Sequence, residues 1–335
     1  MQLPRVLICG SLDFALQECK SIFNGTAEVI FMDCSSREEL LTEFQPGHDY
    51  DGISGIIRHW NAFDITGPFD KEFIECLPSS VKYIASLCAG YEMIDIDACK
   101  ERGILVSNTP GVGDAATATT ALYLMISSLR CFTEGELNIR SGLWRPPSVA
   151  KRAHDLEGHT LAIIGLGGIG LRFAEFAHAF PMHVVYHNRH KLPQAPEYCE
   201  YFDAEHLDEM LANADVLSVH VPLNKHTERL VDWQMIAKLK RGAVLINTAR
   251  GRVIDESAMI KALEEGQLSA VGLDVYPDEP HVNPRLLEFP NATLLPHLGG
   301  VSFEVQKLQE LHALMNLREF LCTGTAPDVV PELRS

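Results

Sequence analysis

The chain has 335 residues, 46% hydrophobic and 22% charged, a composition that excludes disorder and collagen-like repeats and a length that suits two domains at roughly 150 residues each. Asp+Glu 45 against Lys+Arg 28 leaves a formal charge of −17. Such a field argues against nucleic acid or an anionic membrane as partner, and a small anion needs a local cationic site, which screening over about 8 Å permits.

Nine cysteines without a CxxC pair read as reduced thiols of a cytoplasmic protein, and the N-terminus starts directly on strand-like residues. No apolar run reaches the roughly 18 residues of a membrane span. Apolar runs at residues 5–9, 28–32, 55–57, 82–87 and 104–107 alternate with helical patterns at 14–23, 38–43 and 69–77. That alternation predicts parallel α/β packing with ligands at the carboxyl ends of the strands. Residues 114–130 form a long helix candidate in which Leu122, Met125, Ile126 and Leu129 recur at three and four, and its near lack of charge predicts burial between domains or subunits. Residues 141–159 carry two prolines and many polar side chains and read as a surface connection.

A second α/β series follows, with six strand candidates at 160–164, 183–187, 216–220, 243–247, 270–274 and 293–295. The chain then closes on an amphipathic helix over 303–321, with Val305, Leu308, Leu311 and Met315 on one side. After the first of these strands comes Gly165-Leu166-Gly167-Gly168-Ile169-Gly170, leading into a helical pattern. In such a turn the first glycine permits the tight bend and the second lets a pyrophosphate approach the backbone. The third lets helix and strand pack closely, which together predict a dinucleotide site. About 20 residues on, where NAD-binding folds place an acid for the ribose 2′-hydroxyl, the chain reads Tyr186-His187-Asn188-Arg189-His190-Lys191. Asn188 stands where the acid belongs, and Arg189 offers a planar fork suited to a 2′-phosphate. NADP(H) is therefore favoured over NAD(H).

Three further motifs end strands of the same series: Thr248-Ala249-Arg250-Gly251, Tyr276-Pro277-Asp278-Glu279-Pro280 and His297-Leu298-Gly299-Gly300. Together they supply a guanidinium for a carboxylate, an imidazole that carries a proton and an acid to pair with it. No metal site is read from the sequence.

The order GLGGIG, NTARG, GLDVYPDEP, LLPHLGG, preceded by NTPGVGDAATATTALYLMISSLR, resembles the D-isomer-specific 2-hydroxyacid dehydrogenase family over nearly the whole chain. YHNRHKLP and the closing VPEL resemble fungal glyoxylate reductases, whereas GDAATATTALYLMISSLR and FDKEFI resemble fungal D-mandelate dehydrogenases. The resemblance implies an α/β fold with a Rossmann dinucleotide-binding domain, residues 105–299, inserted in a discontinuous flavodoxin-like substrate domain, residues 1–104 and 300–335. It also implies a homodimer formed around the cofactor domains.

Carried over by motif, Arg250 holds the substrate carboxylate and 2-oxo oxygen, His297 is the acid/base, and Glu279 hydrogen-bonds His297. Ala89, Gly90 and Tyr91 align with a loop whose amides receive the carboxylate, and Asp274 with an aspartate that meets the nicotinamide carboxamide. Thr248, Ala249 and Gly299 fall near the nicotinamide, Val221, Pro222 and Thr227 near the adenine, and His190 beside Arg189. Arg58 and Trp60 end a strand expected to face the substrate, with Trp60 or Tyr91 as an aromatic wall. The implied reaction is reduction of a small 2-oxo acid of the glyoxylate or hydroxypyruvate class, with aromatic or branched 2-oxo acids as the alternative. A dinucleotide-sensing co-repressor is the competing class. Formate dehydrogenases, similar in fold, carry glutamine where Glu279 stands.

Overall fold

The computed structural model describes residues 3–334. The chain divides into two compact units: one runs to Val112 and resumes at Ser302, and the other is Gly113–Val301. The first boundary falls later than the expected residue 104 because the run at 104–107 is a strand of the first sheet.

The first unit is a five-stranded sheet of β1 (Arg5–Cys9), β2 (Glu28–Phe31), β3 (Ile53–Arg58), β4 (Tyr83–Ser86) and β5 (Leu105–Ser107). All pairings are parallel, in the order β2-β1-β3-β4-β5. Both faces of β1, β3 and β4 are covered, which is why these strands read as continuous apolar runs. The helix expected from Phe69 starts at Lys71, because Asp70 caps it by accepting the Phe73 amide, while Phe69 bridges to Ile94.

The C-terminal helix, Phe303–Thr323, packs Ala313, Leu314 and Leu317 against Val6, Ile8, Ile57 and Tyr83. A β-carbon on Gly55 would lie 2.6 Å from Leu317 Cδ1, so the glycine lets this helix settle on β3. Its buried face differs from the expected one: Leu308 and Met315 are 52% and 61% exposed, whereas Glu310 and Asn316 are buried. Each buried polar group has partners. Glu310 accepts the amides of Asp13, Phe14 and Ala15, and Asn316 donates to the Asn108 carbonyl.

The second unit holds seven parallel strands, one more than expected: β6 (Thr160–Ile164), β7 (His183–His187), β8 (Cys199–Phe202), β9 (Val216–Val219), β10 (Ala243–Asn247), β11 (Leu268–Leu273) and β12 (Ala292–Leu294). Their order is β12-β11-β10-β9-β6-β7-β8, so the winding reverses between β6 and β9, the place where open α/β sheets bind ligands. The unpredicted β8 is a short edge strand whose outward residues, such as Glu200, blunt its apolar pattern.

The helix Asp114–Arg130 lies on this unit's own sheet: Ala118, Ala121, Leu124 and Met125 are fully buried, and Leu122 and Ile126 only partly. Gly272 on β11 makes room for it, since a β-carbon there would meet Leu124 Cβ at 2.8 Å. Among the described residues no helix is long and apolar enough to cross a membrane.

Candidate active site

The glycine turn follows β6. Gly165 has φ +98°, a conformation that L side chains rarely adopt. A β-carbon on Gly170 would lie 2.5 Å from the Gly165 carbonyl oxygen, so only glycine lets the helix Gly168–Ala179 start this close to the turn. Gly167 differs: an added β-carbon meets nothing within 4 Å, and no side chain caps the helix. An open backbone at an uncapped helix start fits a pyrophosphate. Ile169 anchors the start by packing into the core.

At the ribose end, Asn188 reaches back to the turn. The Leu166 amide donates to its Oδ1 at 2.7 Å, and its Nδ2 donates to the Leu166 carbonyl at 3.4 Å. Arg189 and His190 are exposed beyond it, and Arg189 makes no hydrogen bond or ion pair among the described residues. On the far side of the turn, Val221 Cγ1 would meet a Gly165 β-carbon at 2.9 Å. Thr227 holds the following loop by donating to the Pro222 carbonyl at 2.6 Å.

His220, which the sequence reading passed over, directly follows β9, between Ser218 Oγ at 2.9 Å and Thr248 Oγ1 at 3.5 Å. Burial holds it down at about 4, so it is neutral at physiological pH. Its position directly after a strand of the second series was the available signal.

The three motifs after β10, β11 and β12 converge. His297 Nδ1 lies 2.7 Å from Glu279 Oε2. A carboxylate only accepts, so Nδ1 carries the proton and Nε2 is left to exchange one with a ligand. The two side chains are 46% and 34% exposed, within reach of a small molecule. Glu279 Oε1 also accepts the Tyr276 amide at 2.9 Å. Partial burial pushes the Glu279 carboxyl up, but the bonds from His297 and Tyr276, with the charges of His297 and Arg250, outweigh it and hold the group below the usual carboxylate range.

The backbone behind this pair is built for it. His297 has φ +55°, an uncommon left-handed conformation for a side chain of its size. Its amide donates to the Asp274 carbonyl at 2.8 Å, and the next two amides, of Leu298 and Gly299, donate to Asp274 Oδ1 and Oδ2 at 2.7 and 2.8 Å. Asp274 is fully buried, and burial raises its carboxyl against those two donors. A β-carbon on Gly299 would come within 2.9 Å of Asp274 Oδ2.

Arg250 is set by the turn before it. Asn247, another residue the sequence reading passed over, accepts the Ala249 amide and donates to the Arg250 carbonyl, both at 2.9 Å. A β-carbon on Gly251 would sit 1.9 Å from the Tyr276 carbonyl carbon, so glycine alone lets this turn reach the segment that leads to Glu279.

In the other unit, Asn108 and Thr109 bind the carbonyls of Leu87, Cys88 and Ala89, while the amides of Ala89, Gly90 and Tyr91 donate to no group among the described residues. The half-buried Tyr91 ring packs on the core and its hydroxyl donates to Glu332 at 3.1 Å. Trp60 is 49% exposed, steadied by its indole N–H on Gln306 Oε1 at 3.3 Å. Arg58 is buried over the Phe69 ring with its Nε unpaired. Among the described residues no group of three or more His, Cys, Asp or Glu side chains is placed to hold a metal ion.

A dinucleotide turn and an Arg, Glu, His set on one parallel sheet define the class as a nicotinamide-dependent oxidoreductase. Residues 122–299 match the D-isomer specific 2-hydroxyacid dehydrogenase, NAD binding domain, and the chain belongs to that family. It is 37% identical over 334 residues to 4-methyl-2-oxopentanoate reductase A of Aspergillus oryzae, covering 99% of each chain. The fold matches a crystal structure of a glyoxylate reductase from Paecilomyes thermophila with a TM-score of 0.93 at 40% identity over all of both chains. It matches the holo D-mandelate dehydrogenase of Rhodotorula graminis with a TM-score of 0.92 at 33% identity, over 100% of this chain and 99% of that one. The chain is thus a 2-hydroxyacid dehydrogenase, an oxidoreductase acting on CH–OH groups with NAD(P)H.

Proposed function

We propose that the protein reduces a small 2-oxo acid of the glyoxylate or hydroxypyruvate class to the D-2-hydroxy acid, with NADPH preferred over NADH. The observation that carries this reading is the 2.7 Å His297–Glu279 contact, with the charge of Arg250 reaching the same carboxylate. Bound at the glycine turn, the reduced nicotinamide supplies the hydride. Gly165, Gly167, Gly168, Ile169 and Gly170 hold the pyrophosphate, Val221, Pro222 and Thr227 the adenine side, and Thr248, Ala249 and Asp274 the nicotinamide end. Arg250 grips the substrate carboxylate and the 2-oxo oxygen, and stabilises that oxygen as negative charge builds on it. His297 gives its Nε2 proton to the same oxygen, and Glu279 stabilises the imidazolium beforehand. The unpaired amides of Ala89, Gly90 and Tyr91 support their role as carboxylate donors, and Arg58 is placed with them in the substrate unit.

Preference for NADPH is supported by Asn188 at the acid position and by the unpaired, exposed Arg189, with His190 adding to it. The exposed Trp60 favours a second reading, an aromatic or branched 2-oxo acid. A cytoplasmic homodimer is supported by nine cysteines outside any disulfide and by the exposed apolar side chains of Phe132, Leu137, Ile139, Leu143 and Trp144, which a second copy would cover.

The test is a panel of glyoxylate, hydroxypyruvate, phenylglyoxylate and 2-oxoisocaproate, each with NADPH and with NADH. Turnover led by the small acids and by NADPH is expected. Higher kcat/KM for phenylglyoxylate or 2-oxoisocaproate selects the second reading, and no oxidation of either cofactor rejects both.

A further inference from the structure

Asp114, the first residue of the helix Asp114–Arg130, lays its carboxylate against Gly168, the first residue of the helix after the glycine turn. A β-carbon on Gly168 would lie 1.8 Å from Asp114 Oδ2 and 2.7 Å from the carboxyl carbon. Gly168 does not have the positive φ of Gly165, so it is this carboxylate, and not backbone conformation, that excludes a side chain there.

The carboxylate makes no hydrogen bond or ion pair among the described residues. Burial raises the Asp114 carboxyl and no neighbouring charge offsets the effect, as expected for an anion without a counter-ion among the described residues. Two helix starts favour it, that of its own helix and that of the uncapped helix Gly168–Ala179. The pyrophosphate of a dinucleotide uses the latter helix start. Two anions therefore share one helix terminus, and one of them is always present.

We propose that Asp114 is an affinity-setting residue of the dinucleotide site, whose charge weakens the hold on the cofactor's pyrophosphate. The inference rests on the dinucleotide reading above. Its consequence is a looser cofactor than the glycine turn alone would hold, which favours exchange of spent for fresh dinucleotide between turnovers. A like charge beside the helix start that would hold the pyrophosphate, screened by partial solvation, predicts an effect of about 3- to 10-fold in Kd.

The test is calorimetric titration of the full-length protein with NADP+ and, separately, with adenosine 2′-monophosphate, which lacks the pyrophosphate. Wild type is compared with Asp114→Asn and Asp114→Ser, and folding of each variant is checked by circular dichroism and melting. Both substitutions are expected to tighten NADP+ about 3- to 10-fold at low salt, to leave adenosine 2′-monophosphate within about twofold, and to lose most of the gain at high salt. Unchanged or weaker NADP+ binding in folded variants overturns the proposal, as does an equal gain on both ligands, which would mark a general change in the site. If wild type binds neither NADP+ nor NAD+, the dinucleotide reading itself falls.

Discussion

The two ends of the second unit's ligand face are built in opposite ways. At the end carrying Arg250, Glu279 and His297, nearly every group is fixed by another: the Asp274 carboxylate takes the amides of Leu298 and Gly299 just after His297, Tyr276 holds Glu279, and Asn247 shapes the turn before Arg250. At the ribose end, Asn188 is tied back to the turn while Arg189 stands exposed and unpaired. Proton transfer depends on direction and on tenths of an ångström, so it calls for a stitched scaffold. Attraction of a phosphate dianion, the part proposed for Arg189, depends mostly on charge, which an exposed guanidinium can supply.

The sharpest way to break this contrast is His297→Asn. Loss of the proton carrier should lower kcat by about 10²- to 10⁴-fold, while the calorimetric Kd for NADP+ stays within about twofold. Turnover near wild type would remove His297 from the chemistry. Asp274→Asn probes the scaffold. An amide has one acceptor oxygen where the carboxylate has two, so one of the Leu298 and Gly299 amides loses its partner and the left-handed turn at His297 loosens. A fall in kcat of about 10- to 100-fold with an unchanged KM for substrate is expected. An equal loss in KM would mean that Asp274 acts on binding and not through His297.

Glu279→Gln tests the charge within the pair. Glu279 lies below the usual carboxylate range, so wild type keeps its anion in neutral and mildly acidic solution. The amide keeps an acceptor for His297 Nδ1 but removes that charge, so kcat should fall by about 10-fold while the Kd for NADP+ stays within about twofold. Turnover near wild type would show that the acceptor suffices and assign Glu279 a purely orienting part.

The sequence made the short-range parts of this architecture legible. The strand, glycine turn and helix around Gly165 form within a few residues, and the motifs holding Arg250, Glu279 and His297 each follow an apolar strand. What escaped depends on contacts between distant segments. Nothing near His297 in the chain announces its φ of +55°, which Asp274 supports from the neighbouring strand's end. Nothing near Gly168 announces the Asp114 carboxylate. The C-terminal helix was read by its apolar residues, yet Glu310 and Asn316 are buried on partners almost 300 and more than 200 residues away in the chain, leaving Leu308 and Met315 outside. Apolar periodicity cannot register a buried carboxylate whose three amide donors lie at the opposite end of the chain.

The smallest expected effect falls at the ribose end, and it discriminates best between the two designs. Arg189→Ala removes a charge that makes no hydrogen bond or ion pair among the described residues, so stability and kcat at saturating cofactor should be unchanged. The loss should appear only where a 2′-phosphate is present, as about a 10-fold rise in Kd for NADPH against less than about twofold for NADH, the scale of one charge-assisted hydrogen bond. Because the residue is exposed, the NADPH penalty should shrink as salt rises, whereas the Asp274→Asn defect, set by bonds to a buried carboxylate, should not. Equal weakening of both cofactors would place Arg189 on the shared part of the ligand, and a salt-independent penalty would show that this end too is held by geometry.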